Sequence, residues 1–140
     1  MFLPDINLWL ALAFESHFHH DSAKRWFDGS PSGSFYFCRL TQPRFLRLAS
    51  NPKVFQEDAV SLSRAWDLYD VIMSDPRVTF VDESENVESY WRAYTRRPTF
   101  SPNIWSDAYL AAFARAAGLE LITFEQGFAQ YKSLSCTILS

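Results

Sequence analysis

The feature that most constrains this chain is a repeated alternation. Short apolar runs rich in β-branched and aromatic residues are separated by segments whose apolar residues recur at helical spacing. Phe2-Leu3, Phe35-Tyr36-Phe37-Cys38, Arg77-Val78-Thr79-Phe80-Val81, Leu121-Ile122-Thr123-Phe124 and Thr137-Ile138-Leu139 read as strands. Between them, Ile6 to Phe14, His19 to Phe27, Thr41 to Ala49, Gln56 to Met73, Glu85 to Arg96 and a segment opened by Ser101-Pro102 read as helices. Strands that alternate with helices need crossover connections, which make neighbouring strands parallel and place helices on both faces. The expected fold class is therefore α/β: a mainly parallel central sheet of four to five short strands flanked by helices, with residues 1–140 as a single domain.

Local signals set the boundaries. Thr41 offers a helix cap, and Asn51-Pro52 stops the helix it opens. Ser101 places a capping hydroxyl directly before Pro102 at a first helical position, and Gly118 ends that helix in the left-handed conformation. Asp28-Gly29-Ser30-Pro31-Ser32-Gly33-Ser34 reads as a surface connection, too short for a domain linker.

Composition removes several function classes. A chain of 140 residues with 48% hydrophobic and 17% aromatic content has ample core material, so disorder is excluded. The balance of 13 Lys+Arg against 16 Asp+Glu gives −3, which argues against a strongly basic nucleic-acid binder. An enzyme that meets nucleic acid through a local basic patch is still compatible with it. No apolar run approaches the roughly 20 residues a membrane span needs. Met1 to Asp5 lacks the basic start and cleavage site of a signal peptide. Cys38 and Cys136 stand alone without a CxxC partner, which excludes a disulfide framework or zinc ribbon and makes a reducing cytoplasm the expected setting.

Chemistry in an open parallel sheet gathers outside the carboxyl ends of the strands. Asp5 follows Phe2-Leu3, and Glu125 follows Leu121 to Phe124. Asp107 lies on the helix preceding the Glu125 strand, with Asn103 one turn earlier on the same face. Right-handed crossovers allow the first and last of these strands to be neighbours, so the acids can converge. Carboxylates without imidazole or thiolate partners suit Mg²⁺ or Mn²⁺. Such an ion can activate water and neutralise charge developing on a phosphodiester. Asp5 reads equally well as the cap of the helix starting at Ile6. Asp107 lies beyond the capping position, among alanines and aromatics, and has no such account. Glu125 alone would be an ordinary solvated strand end; the joint placement carries the hypothesis. His17, His19 and His20 read as a solvated turn rather than a metal site, and Cys38 as an inert buried thiol. The five tryptophans fall at apolar helix positions, where core packing or a partner interface ranks ahead of base stacking.

Four stretches, Phe2 to Leu8, Phe45 to Pro52, Trp105 to Ala112 and Ile122 to Phe128, together resemble the PIN domain of VapC-type toxins, in order and across essentially the whole chain. The resemblance implies a cytoplasmic, metal-dependent endoribonuclease. It would be the toxin of a type II toxin–antitoxin pair, held inactive by a VapB-like antitoxin. A homodimer and a structured RNA target such as tRNA or rRNA are also implied. The family's metal-binding acids carry over onto Asp5, Asp107 and Glu125, with Ser106 and Thr123 lining the pocket and Asn7 just after the first acid. Two departures stand out. Gln42 occupies the place of a usual glutamate; an amide can ligate an ion or orient water but adds no charge, so metal affinity falls and the number of ions stays open. Glu125 is one methylene longer than the usual aspartate. The catalytic set implied is Asp5, Asp107, Glu125 and Gln42. Gln42 and Asn103 would orient water or substrate, while Arg39, Arg44 and Arg47 are the nearest cations for an RNA backbone. The alternative is a catalytically weakened PIN-fold module that mainly binds an antitoxin or RNA, through the amphipathic Gln56 to Met73 segment and exposed aromatics. A phosphate-accepting signalling domain would want paired acids after the first strand and a lysine after a late one, and the chain supplies neither.

Overall fold

The structure, a computed structural model, describes residues 1–140. Strands β1 (Phe2–Pro4), β2 (Phe35–Phe37), β3 (Val78–Phe80), β4 (Glu120–Thr123) and β5 (Cys136–Ile138) form one sheet in the order β3-β2-β1-β4-β5, every pair parallel. In register, Phe2 lies opposite Phe35 on one side and Glu120 on the other. The chain lays down β1 at the centre, builds outward through β2 and β3, then crosses to the other side for β4 and β5. The reversal between β1 and β4 is the position where an open parallel sheet leaves a crevice at its carboxyl edge.

Side-chain alternation divides the core between the two faces. Leu3 and Leu121 turn to the face covered by α6 (Val87–Thr95) and α7 (Ile104–Ala117), where they meet Val87, Ala108, Ala111, Ala112 and Phe113. The run of alanines keeps α7 thin enough to lie close on β1 and β4. Phe35 and Phe37 turn to the opposite face, against α1 (Ile6–Ala13), α3 (Thr41–Ala49) and α5 (Leu62–Met73). Aromatic contacts dominate there: Trp9 stacks on Phe37 at 4.2 Å and Phe14 on Phe55 at 3.9 Å between centroids. Each such pair contributes about 0.5–1.5 kcal/mol beyond its burial. The connection after α2 (His20–Asp28) is closed by Arg77, which pairs with Asp75 and donates to the carbonyls of Phe27 and Ser30.

Three boundaries differ from the sequence reading. Gln56 to Met73 is not one helix: α4 (Pro52–Phe55) precedes it, a single 3-10 turn spans Gln56–Asp58, and α5 starts only at Leu62. Gln56 takes a left-handed backbone (φ 50°) and breaks the helix, and the Ser61 hydroxyl accepts from Arg64 N to start a new one. Ser101-Pro102 forms a turn, and α7 begins two residues later at Ile104. Thr41 is the first residue of α3 and turns its hydroxyl back onto Cys38, accepting from its N and donating to its carbonyl.

Candidate active site

The site grows from the last hydrogen bond between the two central strands. Asp5 N donates to the Ile122 carbonyl at 2.8 Å, carrying the β1–β4 ladder one residue past β1. Asp5 itself is extended (φ −66°, ψ 162°) and caps α1, its Oδ1 accepting from Ile6 N at 2.6 Å. Its other oxygen, Oδ2, accepts from the Thr123 hydroxyl at 2.9 Å. That hydroxyl in turn accepts from Glu125 N at 3.0 Å. Thr123 is thus a buried joint between the two acids, with 0% of its surface exposed. On the rim, Asn7 Nδ2 donates to Glu125 Oε1 at 2.7 Å, so the first turn of α1 holds the longer acid in place. The capping and the chemical readings of Asp5 are compatible, because each carboxylate oxygen keeps a second lone pair.

Asp107 stands in the first turn of α7, where the helix dipole favours a negative charge. Burial is the main perturbation of all three acids. It pushes Asp5 up to about 6, with the negative charges of Glu125 and Asp107 adding to the rise and the Thr123 bond opposing it. Asp107 is also raised by burial and held back by Arg44. Glu125 is raised by partial burial and by Asp107, and lowered by Arg44 and Asn7. Every pair of the trio is therefore coupled through like charge, and Arg44 is the cation that reaches two of them.

The other expected residues divide. Ser106 shares a shallow surface concavity with Pro43, Arg44 and Arg47, and of these arginines Arg44 acts on Asp107 and Glu125. Arg39 instead lies over the Phe80 ring at 4.7 Å and donates to Gln42 Oε1. Gln42 Nε2 donates to the Tyr69 hydroxyl at 3.3 Å, so both ends of this amide are held by Arg39 and α5. None of its hydrogen bonds reaches an acid. Asn103 is exposed at the start of α7 and makes no capping bond. Sequence reasoning missed the stacking of His19 on Phe124, the residue before Glu125, at 4.1 Å between centroids. Only the polar His-rich run hinted at it. The histidines are otherwise engaged locally: His17 Nδ1 accepts from His19 N, and His20 Nδ1 pairs with the Ala11 carbonyl.

As the side chains stand, no three acidic, imidazole or thiolate groups close on a common point at direct-ligation spacing. The donor set nonetheless suits a hard cation. It is all oxygen, it is anchored at Asp5 and Thr123, and its mutual repulsion is what a divalent ion would relieve.

The description PIN domain matches residues 2–134. The chain belongs to the PIN-domain family. Ribonuclease VapC41 of Mycobacterium tuberculosis is 37% identical over 145 aligned positions, covering 100% of this chain and 99% of the relative. Ribonuclease VapC38 of the same organism is 30% identical over 136 positions, covering 91% of this chain and 86% of the relative. Among solved structures, a chain of VapBC2 from Rickettsia felis, bound to a promoter DNA fragment, superposes with a TM-score of 0.75 at 13% identity. That match covers 99% of this chain and 98% of the other. Mycobacterium tuberculosis VapC20, a sarcin-ricin loop cleaving toxin, gives 0.71 at 16% identity over 100% of both chains. The PIN fold therefore extends across the structure, with Asp5, Thr123 and Glu125 at its carboxyl edge.

Proposed function

We propose that this PIN-domain chain is an endoribonuclease, the toxin of a VapBC-like toxin–antitoxin pair. It would hydrolyse phosphodiester bonds of a structured RNA in the cytoplasm. The observation that carries the reading is the Asp5–Thr123–Glu125 arrangement with Asp107 beside it: three coupled carboxylates at the strand reversal, on a chain 37% identical to a ribonuclease over its full length. Asp5, Asp107 and Glu125 would hold Mg²⁺ or Mn²⁺. When bound, such an ion supplies Lewis acidity for water activation and offsets charge on the phosphoryl oxygens.

The chain's own residues do the positioning. Thr123 fixes the rotamer of Asp5, and Asn7 fixes Glu125, so the two acids meet a ligand without first losing rotamer freedom. Arg44 and Arg47, beside Ser106, face the same approach and can take the phosphates flanking the scissile bond. Burial of Asp5 excludes water from one side of the site and strengthens every charge interaction in it. A VapB-like antitoxin and a homodimer complete the reading, following the family likeness.

The test is cleavage of a labelled structured RNA by purified protein with Mg²⁺, Mn²⁺ or EDTA. Wild type should cut only with metal, and Asp5→Asn and Asp107→Asn should each lose the activity; a variant that cuts at the wild-type rate refutes the assignment. The engagement of Gln42 by Arg39 and Tyr69 favours a second reading, a weakened module that binds RNA or antitoxin without turnover. RNA binding without cleavage at millimolar metal would select it.

A further inference from the structure

The first turn of α7 opens onto a second surface. Ser106 and Asp107 belong to the carboxylate side, whereas Trp105 borders the 96–103 loop between α6 and α7. Phe100 at the tip of that loop is 99% exposed, and Trp105 is 57% exposed. Trp105 packs one edge of its ring on the fold and leaves the rest to solvent. Trp91 stands edge-on to it at 6.0 Å between centroids, and Trp91 Nε1 donates to the Trp105 carbonyl at 2.9 Å. A shallow cavity of about 270 Å³ lies between Arg97, Phe100 and Trp105. Arg96 contributes to the adjoining hollows on both sides, one of which continues to Arg115 and Lys132.

The charge here runs against that of the whole chain. The one acid in these walls, Glu88, is already paired with Arg92 at 2.9 Å. Arg96, Arg97, Arg115 and Lys132 have no carboxylate partner, in a protein whose net charge is −3. The surface is also joined to the site: Arg97 Nη1 donates to Gln130 Oε1 at 2.9 Å, at the end of the 3-10 turn that begins directly after Glu125.

Exposed flat rings interleaved with uncompensated guanidinium groups match what a single-stranded nucleic acid needs, a π-face for each base and a cation for each phosphate. A second copy of this chain seated symmetrically on the patch would bring the same arginines face to face, which like-charge repulsion opposes. We propose that Phe100, Trp105, Arg96, Arg97 and Lys132 form a binding surface for the single-stranded RNA flanking the cleaved bond. This rests on the ribonuclease reading for its substrate and extends it beyond the carboxylates.

The test uses the full chain in EDTA with a fluorescein-labelled single-stranded RNA of roughly 12 nucleotides, read by anisotropy. Phe100→Ala removes a side chain that lies outside the fold, so melting should be unchanged while affinity falls about tenfold. Arg96→Ala should weaken binding several-fold and lower the salt dependence by about one counterion. With metal, both variants should show a raised KM on the labelled structured RNA of the cleavage assay. If both bind within about twofold of wild type while wild type cleaves RNA, the surface proposal is overturned and the ribonuclease reading survives. If wild type cleaves nothing but Phe100→Ala still loses affinity, the surface stands and the ribonuclease reading falls. If sedimentation shows Phe100→Ala dissociating a dimer with RNA affinity unchanged, the patch joins copies of the chain and the proposal is overturned.

Discussion

Asp5→Asn should make the metal-free protein more stable at neutral pH. Asp5 is 4% exposed, and burial lifts its carboxyl from 3.8 to about 6. A rise of that size means that the ionised group costs the folded state about 3 kcal/mol above pH 6. The sign follows from proton counting: between pH 3.8 and 6 the folded chain binds the proton more tightly than the unfolded chain, so stability falls as pH rises through that window. Asparagine keeps the shape and the capping bond from Ile6 N, but its amide then faces the Thr123 hydroxyl, which has no acceptor left for its own proton. That rearrangement costs about 1 kcal/mol, leaving a net gain of about 2 kcal/mol at pH 7.5. The gain should disappear between about pH 4 and 5 and turn below that into a deficit approaching about 1 kcal/mol, because protonated wild-type Asp5 no longer carries the charge penalty. Urea unfolding in EDTA across this range measures both. Adding Mn²⁺ should then reverse the order, because an ion bound only by folded wild type contributes about 2.7 kcal/mol at a hundred times its Kd. A variant less stable than wild type in EDTA at every pH would refute the argument that this carboxylate is held against its own solvation.

Thr123→Val should break the joint between the acids at nearly constant volume, removing two hydrogen bonds and costing about 2 kcal/mol in urea unfolding. RNA cleavage should fall with it, and Thr123→Ser should restore both. Arg44→Ala should move the acid limb of the pH–rate profile upward, since Arg44 lowers both Asp107 and Glu125; an unmoved limb would place the arginine outside the site's field. Asn7→Ala should leave folding intact, because the bond it loses lies at the rim, and lower Mn²⁺ affinity in calorimetry by freeing Glu125.

Much of this was legible from one chain because strand ends announce themselves. Asp5 and Glu125 each follow a short apolar run, and right-handed crossovers permit β1 and β4 to be neighbours, as the sheet order shows they are. The break at Gln56 was not legible. Apolar residues keep helical spacing through it, and the left-handed turn is set by tertiary contacts, as where Val60 N bonds the Ala49 carbonyl. The fate of Gln42 was hidden for a similar reason. The family resemblance placed it at the mouth of the site, but Tyr69, 27 residues away, and Arg39 decide where its amide points. Trp105 was open between core packing and a partner interface in the sequence, and the structure leaves its ring 57% exposed with one edge against Trp91.

The strongest physical case that the carboxyl edge is a working site is what it costs. The two faces of the sheet are packed with rings and alanines in the ordinary way, and nothing about them asks for an acid at position 5. Folding alone would be served by a neutral cap: asparagine or serine gives Ile6 N its acceptor without burying a charge. The chain instead carries three acids here, each raised by burial and two of them raised further by negative neighbours, with a threonine and an asparagine committed to orienting them. Carboxylates set against each other with dedicated positioning partners are stabilised only when something positive arrives, which is why perturbed acids in such a cluster point to function rather than to structure. Substitutions that neutralise Asp5 or Asp107 should therefore gain stability and lose RNA cleavage together. Loss of activity accompanied by loss of stability would assign these acids to the scaffold instead.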